Sequence, residues 1–181
     1  MTYIRDKDKM KEIDTKADMI WHIADKLTGA YKPHEYGLVI LPFTVLWRLD
    51  CAFESKRTAV LQKYEQLKDY PEEIRGPILV DVSGLKYYET NPKGLRSVLE
   101  NPKDVGGALK RFINNFSPNI QEILGEFKIF EQIERLDESS STDGGLLFAV
   151  LDELTKDKNN LSPDMISDIE MGYLFEEIIR R

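Results

Sequence analysis

The sequence holds one cysteine, Cys51, and two histidines, His22 and His34, in 181 residues. A single thiol excludes a disulfide within the chain, and so few thiol and imidazole groups leave no zinc site of ordinary ligand spacing. Also missing are a Gly-x-Ser-x-Gly nucleophile elbow, a Walker A phosphate loop and a Gly-x-Gly-x-x-Gly turn after a strand. Basic residues are outnumbered, 25 Lys and Arg against 32 Asp and Glu; with a net charge of -7 and a pI near 5.0, the surface as a whole repels a phosphate backbone. The charged N-terminus has no apolar core of a secretory signal, and a lone cysteine fits a reducing cytoplasm. What remains, 41% hydrophobic and 31% charged, is the composition of a soluble globular chain with room for one domain.

Only one stretch, residues 35–53, is a long apolar run. From position 38 to 53 the clearly polar side chains are Thr44, Arg48 and Asp50, so a helix here is apolar around most of its circumference and has to be buried. A membrane span needs about 20 apolar residues, and Arg48, Asp50 and Pro42 interrupt this run. Pro42 cannot donate to the Leu38 carbonyl, which predicts a kink or a fresh turn of helix. Arg48 and Asp50 are charges inside an apolar helix and call for structural partners, and Cys51 reads as a small buried thiol.

Amphipathic segments surround this helix. Residues 1–13 read as an arm, followed by a helix capped at Asp14 or Thr15, carrying Ala17, Ile20, Trp21, Ala24 and Leu27 and stopped by Gly29. Pro33 suits the first position of the central helix, and a further helix carrying Val60, Tyr64 and Leu67 is bounded by Pro71. Residues 77–89 predict a β-hairpin turning at Ser83-Gly84. Asn91-Pro92, Asn101-Pro102 and Ser117-Pro118 each predict a helix start, with the first residue as cap and proline at the first helical position. Phe127, Phe130, Ile133 and Leu136 line the next helix, residues 137–145 predict a mobile loop, and residues 146–154 predict a helix. Residues 156–160 predict a solvated break, and Ser162 or Ser167 starts a last helix running to the end of the chain with Met171, Leu174, Phe175, Ile178 and Ile179 on its apolar side. The expected fold is mainly α, a multi-helix bundle around a central buried helix with one small β-hairpin.

Candidate chemistry is sparse. Gly106-Gly107 has no preceding strand and reads as two small residues in the opening turns of a helix. The two Asn-Pro pairs lack the second proline and aromatic ring with which amino-group methyltransferases hold a flipped base. Lys110, Arg111, Asn114 and Asn115 share the polar side of one helix, where charge and amide groups can meet phosphates or another subunit; a solvated face is the plainer reading of the same pattern.

Several blocks, in order, resemble one family. Residues 21–27 (WHIADKL), Tyr36-Gly37 through Val39-Ile40-Leu41-Pro42-Phe43 to Arg48-Leu49-Asp50, Asn115-Phe116-Ser117-Pro118-Asn119, Ile133-Glu134 with Leu136-Asp137, and residues 170–181 (EMGYLFEEIIRR) are similar to the N-terminal domain of the modification subunit of type I restriction-modification systems. The resemblance implies a helical domain over residues 1–165, and over 166–181 the start of a helix leading to a catalytic domain that binds S-adenosylmethionine and methylates adenine at N6. It also implies a specificity subunit, a second modification subunit, a restriction subunit in the larger complex, and DNA held by the assembly. The family's cofactor and catalytic motifs would lie beyond Arg181, so no catalytic, cofactor or metal residue is carried over and this fragment is expected to be inactive alone. The other reading of the residues is a stand-alone helical protein-interaction adaptor.

Overall fold

The computed structural model describes residues 2–138 and 145–180, with the backbone alone over 2–13. Its α-helices are α1 (Thr2–Leu27), α2 (Tyr36–Phe53), α3 (Arg57–Leu67), α4 (Glu72–Ser83), α5 (Val105–Asn114), α6 (Pro118–Glu126), α7 (Ile129–Glu138), α8 (Gly145–Leu154) and α9 (Asp168–Ile179). Short 3-10 turns, Pro33–Glu35, Glu54–Lys56, Leu95–Leu99 and Asp157–Asn159, join several of them. Among the described residues there is no strand, only isolated bridges between Thr28 and Tyr31 and between Glu89 and Phe116.

The protein is a mainly α bundle with α2 at its centre. α2 runs through Pro42 without a break, packs on α1, α7 and α9, and buries Val39, Ile40, Phe43, Leu46 and Phe53. Its stretch is apolar enough to pass for a membrane span by composition, but here its side chains fill the core of the bundle. α8 packs on α1 and α7, while α3 and α4 form a helical hairpin.

Several expectations are corrected. α1 begins at Thr2, so the predicted arm is helix: residues 2–13 contain neither Gly nor Pro, and lengthening an existing helix needs no new nucleus. On α1 the buried face is Met19, Ile20, Ile23, Ala24 and Leu27, and Trp21 is 48% exposed. The predicted hairpin does not form. The Ile-Leu-Val-x-Val run belongs to α4, because a short apolar run fits a buried helix as well as a strand. Ser83-Gly84 is that helix's C-terminus: Gly84 (φ +67°) takes the left-handed conformation and donates to the Val80 and Asp81 carbonyls. The return segment is extended but pairs elsewhere, with Ser117 N–H donating to the Tyr88 carbonyl (2.8 Å) and Thr90 N–H to the Asn115 carbonyl (2.7 Å).

Of the three proline-marked starts, only Ser117-Pro118 has the expected register, with Ser117 as N-cap and Pro118 first in α6. Gly94 and Asp104 precede the other helical segments, while Asn101 Oδ1 accepts the Lys103 N–H in a local turn and Asn91 is buried. Phe127, expected in the core, is 39% exposed, and Ile129 is buried in its place. Residues 156–160 are the exposed break expected after α8 except at Asn159, which is fully buried and whose carbonyl accepts Trp47 Nε1–H (2.7 Å). Ser167 and Glu170 form a reciprocal capping box at α9, whose helical pattern runs through the Arg180 N–H bond to the Glu176 carbonyl, and Ile179, expected on the apolar side, is exposed. Of the predicted mobile loop, residues 139–144 lie outside the described residues.

Candidate functional site

The charge predicted to need a partner in the central helix has one. Arg57, first in α3, is 5% exposed and reaches back along α2 and across to the 89–91 segment. Its Nη2 donates to Asp50 Oδ1 (2.7 Å) and Glu54 Oε2 (2.9 Å), and its Nη1 to Glu89 Oε1 (2.7 Å) and the Asn91 carbonyl (2.9 Å). Asp50 Oδ2 accepts the Leu95 N–H (2.7 Å), and Asn91 Nδ2 donates to the Phe112 carbonyl (3.0 Å). One guanidinium thus joins α2, α3, the 89–95 segment and, through Asn91, α5. Burial first, and then the Asp50 charge, push the Glu89 carboxyl well above the usual range, against the pull of Arg57. Glu89 Oε2 is buried without a partner, which makes it the oxygen to carry a proton.

Arg48 does a similar job at the other edge of α2. Nη1 donates to the Leu161 and Ile166 carbonyls (2.7 and 2.6 Å) and Nη2 to Asp168 (2.9 Å), which ties the segment before α9 to the core helix. Burial pushes the Cys51 thiol up to about 12, so it stays protonated and unreactive.

The predicted surface group on α5 is split. Lys110 pairs with Glu134 on α7 (3.2 Å) and Arg111 with Asp104 at the start of α5 (2.6 Å). Asn114 and Asn115 instead line a cleft of about 290 Å³ with Tyr64, Arg75, Tyr88 and Gln121. There Asn115 Nδ2 donates to Asn91 Oδ1 (3.1 Å), Gln121 donates to the Asn114 carbonyl (3.0 Å), and Tyr88 Oη donates to Glu72. Gly106 and Gly107 are in the first turn of α5, as expected. A Cβ on Gly106 would lie 2.6 Å from Asp137 Oδ2, so glycine there lets an α7 carboxylate approach the positive end of α5.

A second cleft, of about 430 Å³, was not signalled by the sequence. It lies between α1 and the 3-10 turn at 157–159 and is lined by His22, Asp25, Lys26, Glu153, Lys156 and Lys158. Glu153 is buried; its Oε2 accepts Lys156 Nζ–H (2.6 Å), while its Oε1 lies 3.2 Å from His22 Nδ1 and 3.9 Å from Lys158 Nζ. That Oε1 has a hydrogen bond when the imidazole carries its proton on Nδ1, and is otherwise unsatisfied. Burial raises the Glu153 carboxyl, but the Lys156 bond and the Lys156, Lys158 and His22 charges outweigh it and hold it below the usual range. His22 and Glu153 are 131 positions apart, so no local motif could announce them. Among the described residues, no group of three His, Cys, Asp or Glu side chains is placed to hold a metal ion.

These features define an all-helical domain organised around a buried ion network, with a lysine-bearing cleft between α1 and the 157–159 turn. The chain belongs to the HsdM N-terminal domain family, whose model matches residues 16–167; these are N-terminal domains of type I restriction-modification methyltransferase subunits. No curated protein and no solved structure matches it.

Proposed function

We propose that the chain is the non-catalytic N-terminal part of an S-adenosylmethionine-dependent adenine-N6 DNA methyltransferase subunit. In this reading it serves assembly with a specificity subunit and a second modification subunit, with a restriction subunit in the larger complex, and closure of that assembly around DNA in the cytoplasm. The observation that carries it is the family match over residues 16–167. α9 supports it as the helix that leads onward. Met171, Leu174 and Ile178 are buried against the bundle, while Ile169, Tyr173 and Ile179 on the outer side are 73%, 58% and 72% exposed. A helix with apolar residues on both sides suits a junction between two packed units.

The test is to express the whole reading frame that contains this chain with the specificity subunit of its own operon. Co-purification and methyl transfer to adenine in duplex DNA are expected. A frame that encodes neither a glycine-rich cofactor turn nor an Asn-Pro-Pro-aromatic motif would reject the reading and leave the stand-alone adaptor. The 181-residue chain alone is expected to give no calorimetric signal with S-adenosylmethionine, and micromolar binding would contradict its non-catalytic assignment.

A further inference from the structure

The surface is acidic overall, and much of its basic charge is neutralised within the fold. Arg75, Arg96, Arg111 and Arg135 each sit within 3.2 Å of a carboxylate, as do Lys93 and Lys110. The cleft between α1 and the 157–159 turn is different. Its one buried carboxylate, Glu153, takes the short bond from Lys156; Lys158 stands back at 3.9 Å, and Lys26 has no acidic partner among the described residues. His22 engages Glu153 through Nδ1, so Nε2, on a side chain 49% exposed, has no protein partner there.

The anchoring is built from the interior outward. Lys16, 2% exposed, donates to the Lys158 carbonyl (2.6 Å) and fixes the turn to α1. Asn159 Nδ2 donates to the Glu153 carbonyl (2.7 Å) and fixes the turn to α8. The long side chains of Lys26 and Lys158 therefore extend from a rigid base on two different elements into one open groove.

We propose that this cleft contacts the phosphodiester backbone of duplex DNA, with Lys26, Lys158 and the Nε2 edge of His22 meeting phosphate oxygens and Glu153 holding His22 and Lys156 in place. The proposal rests on the reading of the chain as part of a DNA-modifying assembly and names the surface that faces the duplex. Chemistry favours a polyanion over a single bound phosphate. A site for one phosphate converges backbone N–H groups or an arginine fork on a point, whereas this open groove brings Lys26 from α1 and Lys158 from the 157–159 turn together with no arginine, beside the carboxylate of Asp25. Such contacts position the duplex without reading its sequence.

The experiment is fluorescence anisotropy of a labelled duplex titrated with the 181-residue chain from 50 to 200 mM salt. The wild-type chain is expected to bind weakly with a steep salt slope. Lys26→Ala/Lys158→Ala is expected to weaken binding roughly tenfold at low salt and to reduce the slope by about 1.8, for two lost phosphate contacts. Lys26→Arg/Lys158→Arg should restore both, and Lys110→Ala/Arg111→Ala should leave the slope unchanged. Circular dichroism checks that each variant is folded. No wild-type binding at 50 mM salt, or an unchanged slope in the double alanine variant, overturns the proposal. So does competition by inorganic triphosphate at equal phosphate concentration, which would mark a free-phosphate site. None of these outcomes touches the assembly reading, which stands or falls on co-purification with the specificity subunit.

Discussion

Replacing Arg57 with alanine should be among the most damaging single substitutions in this protein. The side chain is 6% exposed, and its partners Asp50 and Glu89 are 3% and 0% exposed, so water cannot take over the lost contacts. Glu89 can remain protonated, but Asp50 is left as a buried carboxylate with only the Leu95 N–H, and the Asn91 carbonyl loses its donor. Removing one partner of such a buried pair costs about 3–5 kcal/mol. Against a total stability of about 5–15 kcal/mol this is about a fifth or more, and with a urea slope of about 2 kcal/mol/M the midpoint should fall by roughly 1.5–2.5 M. Arg57→Lys should recover only part of the loss, because a single ammonium cannot serve Asp50 and Glu89 from two nitrogens as the guanidinium does. Arg57→Met combined with Asp50→Asn and Glu89→Gln removes all the buried charge and should be more stable than Arg57→Met alone. Urea unfolding followed by circular dichroism measures all of these. A loss below about 1 kcal/mol for Arg57→Ala would refute the reasoning, because it would mean that the network is solvated.

Glu89→Gln should change the shape of the pH profile. Because the folded carboxyl titrates above its ordinary value of 4.5, its contribution to stability is complete below that value and is lost as pH rises through the raised one; the variant lacks this decline, so its stability relative to wild type should climb from pH 4 to 8, and a parallel pair of curves would count against a raised Glu89. Gly84→Ala places a side chain at φ +67° with no close neighbour to relieve it and should cost about 1–2 kcal/mol in denaturant unfolding; an unchanged midpoint would show that the α4 terminus does not need the left-handed turn. Ser167→Ala removes the oxygen that accepts the Glu170 N–H and should cost about 1 kcal/mol, with faster amide exchange confined to the first turn of α9; uniform exchange along the chain would contradict a local cap.

How much of this was legible beforehand depended on whether a signal was local. The burial of α2, the stop at Gly29, the Ser117-Pro118 start and the Ser167 to Glu170 box were readable because periodicity and capping act within a few residues. The block resemblance likewise read the family from short segments in order. The run at 78–82 misled because its length suits either a strand or a buried helical turn, and only packing against α3 selects the helix. Asn91 misled for a related reason: its position before proline fits a cap, but its amide is taken by the Phe112 carbonyl and by Asn115.

By itself, then, the sequence determined a helical, acidic domain with a buried central helix, and required that Asp50 be paired, because hydrophobic periodicity and the cost of a buried charge are properties of the chain alone. Tertiary structure alone decided which partner answers. Arg57 sits seven residues after Asp50, whereas Glu89 is 32 residues beyond Arg57, and His22 meets Glu153 only because α1 packs on α8. The sequence states the requirement for a counter-charge, but its distance along the chain depends on how the helices pack, which no local pattern encodes.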